Sequence, residues 1–191
     1  MTRRNLLLIA LPAIGADGLP FAGRWRSVTT TQGGIGAVYE FAGNGAASYS
    51  SCAIGELGYR QEGSQLSIDG KAVGMGWHPD GRLQLNYGQN MLEDFTRFGD
   101  VVDSANPLLG EWRGSRVMAG TRLPTIYQFQ KDGRIQFVVK IRSYQGRCVS
   151  SGAGWRLALP SLPVRSIRHE AASDQLVIQV AGGDAHPFRR F

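Results

Sequence analysis

Arg134-Ile135-Gln136-Phe137-Val138-Val139-Lys140-Ile141-Arg142 is the stretch on which the fold class turns. Ile135, Phe137, Val139 and Ile141 take every second place, with Arg134, Gln136, Val138, Lys140 and Arg142 between them. A period of two sends successive side chains to opposite faces of an extended chain, so the stretch reads as a half-buried antiparallel strand. The same alternation sets Ala37, Tyr39 and Phe41 against Val38 and Glu40, and recurs in Leu66-Ser67-Ile68 and Leu83-Gln84-Leu85. Asn44-Gly45, Asp69-Gly70, Pro79-Asp80-Gly81 and Asp132-Gly133 lie between such runs, and these pairs favour tight turns whose twist matches a hairpin. The 26 glycines fit many turns and fit helices poorly, because each costs ~1 kcal/mol inside a helix. Gly55 to Gly63 reads as a further hairpin carrying Glu56 and Glu62, and Gln89 to Asp94 as one turn of helix. The prediction is an all-β chain.

Outward from that strand, the chain repeats itself. Gly23-Arg24-Trp25-Arg26 recurs as Gly110-Glu111-Trp112-Arg113, and Tyr39-Glu40-Phe41 as Tyr127-Gln128-Phe129. Leu83-Gln84-Leu85 recurs as Leu176-Val177-Ile178, and Phe95-Thr96-Arg97-Phe98 as Phe188-Arg189-Arg190-Phe191. Four motifs in one order mark a duplication. The copies span 19–102 and 107–191, joined by Asp103-Ser104-Ala105-Asn106-Pro107. Each is expected to be an antiparallel meander that closes on itself, since closure removes exposed strand edges.

Gly23-x-Trp25 and Gly110-x-Trp112 resemble the start of the first strand of the lipocalin family. The resemblance implies a small lipocalin-like β-barrel in each copy, the Trp packing at the closed end with an Arg of the last strand across its ring. Arg97 and Arg190 occupy that place, and each shares a face with an inward phenylalanine, Phe95 or Phe188. Copies of this length are about half a lipocalin and resemble compact bacterial lipocalin-like domains. Trp25, Tyr39, Phe41, Tyr59 and Trp77 are expected to fill the first interior, and Trp112, Tyr127, Phe129, Phe137 and Trp155 the second. If the copies merge into one larger barrel instead, there is room for a ligand.

Met1 to Ala16 reads as a signal peptide: Arg3-Arg4, an apolar Leu6 to Leu11, then small residues through Ala16. Its apolar run is shorter than the ~20 residues a membrane span needs. The expectation is export to the periplasm or beyond, by the twin-arginine or the general route, with no transmembrane anchor. Charge is uneven. Residues 19–104 carry 6 basic and 9 acidic side chains, and residues 105–191 carry 13 and 5. Arg134, Lys140 and Arg142, with Arg147 nearby, form a candidate face for an anionic cell-surface partner. Few aromatics interleave with it, which argues against nucleic acid.

Catalytic chemistry is hard to find. His78, His169 and His186 fall in no metal-ligand spacing, and no strand–turn–helix context surrounds a serine. No metal or other cofactor is implied. Cys52 and Cys148 are the only cysteines, which in an exported chain suggests one disulfide, with two buried thiols as the alternative. The expectation is a non-enzymatic exported binding or interaction protein. A carrier of a small apolar ligand is the alternative, and a hydrolase the least supported.

Overall fold

In the computed structural model, which describes residues 18–88, 91–152 and 154–191, the protein is all-β. The leader residues lie outside the described ones. Fourteen strands follow in chain order: β1 (Gly23–Ser27), β2 (Ile35–Phe41), β3 (Ala46–Glu62), β4 (Gln65–Ile68), β5 (Lys71–Trp77), β6 (Leu83–Asn86), β7 (Leu92–Phe98), β8 (Gly110–Met118), β9 (Thr121–Phe129), β10 (Arg134–Ser151), β11 (Gly154–Ala158), β12 (Arg165–Glu170), β13 (Gln175–Val180) and β14 (Ala185–Arg190). Consecutive strands are neighbours all the way round, and β14 returns to pair with β1 in a closed antiparallel ring. Among the described residues no helix is long and apolar enough to cross a membrane.

The turns behave as their residues dictate. Asp69 and Gly70 both take positive φ (47° and 73°), the geometry of a two-residue hairpin. Gly45 and Gly133 are likewise in the left-handed region. Ala119-Gly120 makes an equivalent turn between β8 and β9 without an Asn or Asp to announce it. Two expectations fail. Leu92 to Asp94 belong to β7 and are not helical. The chain does not turn at Gly55, since β3 runs on as extended strand to Glu62. The missing side chain at Gly55 is used for packing, because a Cβ there would stand inside the Phe137 ring.

A further pairing joins β3 to β10, the two longest strands at 17 and 18 residues. It divides the ring into two circuits of eight: β1, β2, β3, β10 and β11 to β14, and β3 to β10 in order. Two compact units correspond to them. Unit 1 holds residues up to 29, 37–50 and 143–191, and unit 2 holds 30–36 and 51–142. The units therefore cut across the sequence repeats. Segments 19–102 and 107–191 each supply seven strands, but neither closes alone: β1 pairs with β14, and β7 with β8. The physical reason is that the closing motif is nearly the same in both copies, so either can seal the other's first strand.

Each unit has its own core. In unit 1, Phe21, Trp25, Tyr39, Phe41, Leu157, Leu176 and Phe188 are buried together, and Trp155 packs edge-on to Phe21 at 5.4 Å. In unit 2, Leu83, Leu85, Phe95, Trp112, Tyr127, Phe129 and Ile135 are buried together. Tyr59 sits edge-on to Phe129 at 5.1 Å, and Trp77 lies 5.5 Å from Trp112. The aromatics expected to fill each copy are thus redistributed: Tyr59 serves the unit of Trp112 and Trp155 the unit of Trp25, whereas Trp77, expected inside, is 43% exposed and covers Trp112 from the surface. The interiors are packed with rings, and each ring pair adds about 1 kcal/mol beyond the area it buries.

Candidate functional site

The four residues singled out for closure meet as two pairs, with partners exchanged between the copies. Trp25 stands directly across from Arg190, and Trp112 from Arg97. Cross-strand neighbours are about 5 Å apart at Cβ, so each guanidinium folds over the indole beside it, 4.4 Å from the Trp25 ring and 4.3 Å from the Trp112 ring. The surroundings repeat as well. Trp25 Nε1 donates to Phe21 O at 2.9 Å, and Trp112 Nε1 to Leu108 O at 2.8 Å. Arg190 Nη1 donates to Ala22 O at 2.8 Å, and Arg97 Nη1 to Leu109 O at 2.7 Å, with Arg97 Nη2 reaching Pro107 O. Gly23 and Gly110 hold φ of 129° and 111°. A Cβ would come within 2.6 Å of Arg190 Nη1 at Gly23, and 3.0 Å from Arg97 Nη1 at Gly110. The glycine that opens each motif is thus what lets the arginine approach.

The two ends then diverge. In unit 1, Asp174 accepts from Arg190 Nε at 3.1 Å and lies 3.7 Å from His169 Nε2, and His169 packs against Trp25 at 5.9 Å. The Arg190 hydrogen bonds hold the Asp174 carboxyl below its usual range. In unit 2, Trp77 packs against Trp112 instead.

A second polar cluster lies inside each circuit, beside the repeated tyrosines Tyr39 and Tyr127. In unit 2, Glu93 is 5% exposed and accepts from Arg116 Nε at 2.6 Å and Nη2 at 3.3 Å. They lie on adjacent antiparallel strands, just beyond the Phe95–Gly114 pair. Arg116 also lies over the Tyr87 ring at 5.1 Å, and Tyr87 Oη donates to Tyr127 Oη at 3.1 Å. Burial, with Tyr127 close by, pushes the Tyr87 hydroxyl far up.

In unit 1 the guanidinium comes from β12. Arg165 is 5% exposed. Its Nε donates to Tyr39 Oη at 2.8 Å and its Nη1 to Pro163 O at 2.9 Å, and it lies over the Tyr49 ring at 4.7 Å. Among the described residues it meets no carboxylate. Burial pushes the Tyr39 hydroxyl up to about 12, with Arg165 pulling the other way. Tyr39, Tyr49 and Tyr144 form a run of rings, with centroids 5.1 Å apart for the first pair and 5.8 Å for the second. Sequence reading counted Arg165 only as one basic residue among many. The available signal was parity with Ile167, which turns both residues inward.

The basic face is less open than its sequence suggests. Arg134, Lys140 and Arg142 all lie on β10 in unit 2, whereas Arg147 belongs to unit 1. Arg134 is held by Asp132 and by Glu56, the latter at 3.2 Å. Arg147 Nη2 donates to Asn44 O at 3.4 Å. Neither Lys140 nor Arg142 is without an interaction.

Of the two states open to Cys52 and Cys148, a disulfide or two buried thiols, the structure has the buried thiols. The Cys148 N–H donates to Gly45 O, so its neighbours on β3 are the first residues of that strand and not Cys52. Burial pushes the Cys148 thiol up to about 12.

Of the histidines, His78 starts a hairpin, donating its backbone N–H to Arg82 O. Its ring meets Asp94 at 3.1 Å and Gln84 at 3.4 Å. No serine, threonine or cysteine stands among the partners of His78 or His169. Among the described residues no group of three His, Cys, Asp or Glu side chains is placed to hold a metal ion. Open grooves mark the outside of each unit, one of about 600 Å³ lined by Arg60, Glu62, Leu66 and Val73, and one of about 530 Å³ lined by Trp155, Arg156, Ser166 and Gln179. No protein-family model, no curated protein and no solved structure matches the chain.

Proposed function

We propose that the protein is an exported, non-catalytic binding protein made of two small lipocalin-like barrels. The observation that carries this reading is the closure built twice, with Arg190 over Trp25 and Arg97 over Trp112 inside circuits of eight strands. Eight strands enclose a space that side chains fill or that one small ligand occupies, which suits recognition better than multistep chemistry. The leader motif from Met1 to Ala16 supports export.

Native mass spectrometry of the protein from the exported fraction of its source tests the reading. The expected result is a chain shortened by residues 1–15 or 1–16 and carrying a non-covalent partner. A full-length, unliganded chain confined to the cell interior would contradict it. The carrier reading draws on one specific observation, the interior guanidinium of Arg165, which meets no carboxylate among the described residues.

A further inference from the structure

We propose that unit 2 docks on an anionic lipid surface through two neighbouring hairpins, with Met91, Leu92, Val117 and Met118 entering the bilayer interface and Arg122 lying among the headgroups. The inference rests on the binding reading above and names one partner.

The argument starts from what the sheet brings together. β7 begins at Leu92 and β8 ends at Met118. The two strands pair antiparallel, and near these ends Glu93 holds Arg116 at 2.6 Å. Leu92 and Val117 are the next residues outward from that ion pair, and Met91 and Met118 follow them. All four are large apolar side chains, between 43% and 56% exposed. Single exposed apolar residues are ordinary, but four on adjacent chain ends form a patch, and patches mark interaction sites. This one lies at the end of β7 and β8 opposite the closure of Arg97 on Trp112.

Shape favours a surface that yields. Met118 pairs with Thr121 across the Ala119-Gly120 turn, so β8 and β9 end in a narrow hairpin. Another protein would need a pocket built to fit such a tip. The headgroup region of a bilayer reshapes around apolar side chains, and binding there grows with the apolar area buried and with attraction to anionic lipid.

Charge selects the kind of lipid. Val117 stands directly across from Arg122. Arg122 is exposed, donates to Ser115 Oγ at 2.9 Å, and meets no carboxylate among the described residues. An arginine in that place can lay its stem along the apolar boundary and keep its guanidinium at the phosphates. On β7, Glu93 is taken by Arg116, and Asp94 by His78 and Gln84. The wider distribution has the same sense. Residues 51–111 carry 4 Lys and Arg against 9 Asp and Glu, whereas residues 112–142 carry 7 against 1. β8, β9 and the unit 2 part of β10 are thus a positive wall on an otherwise acidic unit. Such a wall is drawn to anionic headgroups, and salt screens the attraction.

Co-sedimentation with sucrose-loaded vesicles tests the proposal, using the chain from residue 17 onward so that the apolar leader cannot bind lipid itself. Vesicles of equimolar phosphatidylglycerol and phosphatidylcholine should bind about tenfold tighter than phosphatidylcholine alone, and the binding should weaken from about 0.1 M to about 0.5 M salt. Leu92→Ser with Val117→Ser should cost about tenfold in affinity, and Arg122→Glu about fivefold with a weaker salt dependence. Val101→Ser, as exposed as Leu92 but beyond the other end of β7, should cost nothing. A dye sensitive to its surroundings on Thr121→Cys reads the contact without removing any apolar side chain. Its emission should move to the blue on the mixed vesicles, and the same dye on Ser104→Cys should not move. No binding, equal binding to both vesicles, unchanged binding by the Leu92 and Val117 variant, or a blue shift at Ser104→Cys alone would each overturn the proposal. So would a lipid-free dimer that this variant dissociates, because a second copy would then cover the patch. A non-covalent partner found by native mass spectrometry alongside such a result would leave the binding reading standing and remove only this surface.

Discussion

In unit 2 the guanidinium beside Tyr127 is Arg116, with Glu93 2.6 Å from it; in unit 1 the guanidinium beside Tyr39 is Arg165, and the groups it meets are a hydroxyl, a carbonyl and a ring. The tyrosines come from the same repeated motif, but the arginines come from different strands, β8 and β12. Duplication thus kept the packing frame and let the interior polar groups drift. One unit has its interior cation matched by a carboxylate, and the other has one that meets only neutral groups among the described residues. The Trp ends tell a related story, since Arg190 gained Asp174 while Arg97 relies on backbone carbonyls.

The largest effects should come from the two interior arginines, and they should differ in size. Glu93→Gln leaves Arg116 without its carboxylate, and breaking a buried pair from one side costs about 3–5 kcal/mol. Arg165→Met removes a buried charge whose described partners are all neutral and should cost less than Glu93→Gln. Urea unfolding followed by Trp fluorescence measures both, and equal losses for the two variants would erase the distinction between the units.

Next come the closing arginines. Arg97→Met and Arg190→Met should each lower stability by about 0.5–1 kcal/mol, the value of a cation over an aromatic ring at a solvent-accessible site. Because both closures share one geometry, the losses should agree within a factor of two. A loss confined to Arg190 would show that Asp174, not the indole, anchors the arginine.

A smaller effect appears at high pH. Cys148 and Tyr39 in unit 1 are both pushed up to about 12, from 9.0 and 10.0. In the unfolded chain these groups ionise first, so the unfolded state binds fewer protons above pH 9 and stability falls as pH rises. It is whole below pH 9 and declines towards pH 12. Cys148→Ala should flatten the first part of that decline, between pH 9 and 10. The same burial predicts that a thiol reagent finds two thiols in denaturant and none in the native chain. A native chain that reacts at once would refute the buried assignment.

Much of this was readable in the chain itself. Alternation in 134–142 and 37–41, the Asp-Gly and Asn-Gly turns, and the paired Gly-x-Trp and Phe-x-Arg-Phe motifs all correspond to strands, turns and a closure in the structure. What could not be read was which arginine meets which tryptophan. Phe95-Thr96-Arg97-Phe98 and Phe188-Arg189-Arg190-Phe191 present the same inward pair, so local pattern fits either arrangement. The length of β3 and β10 was hidden by Gly55 and Gly146, which resemble turn residues and instead make room for Phe137 and Ala158. Glu93 and Arg165 were visible in principle, because each shares strand parity with a buried neighbour, Phe95 or Ile167. An inward charge on an otherwise apolar face is easily passed over when charged residues are counted by region.

Cleavage at a protease site placed within Asp103–Asn106 tests the exchanged closure most directly. Since β1 is sealed by β14 and β8 by β7, the two fragments should stay together as one folded β species on gel filtration and part only in denaturant. Two fragments that separate under native conditions, each keeping its own β-sheet signal and a buried tryptophan, would mean that every copy closes by itself.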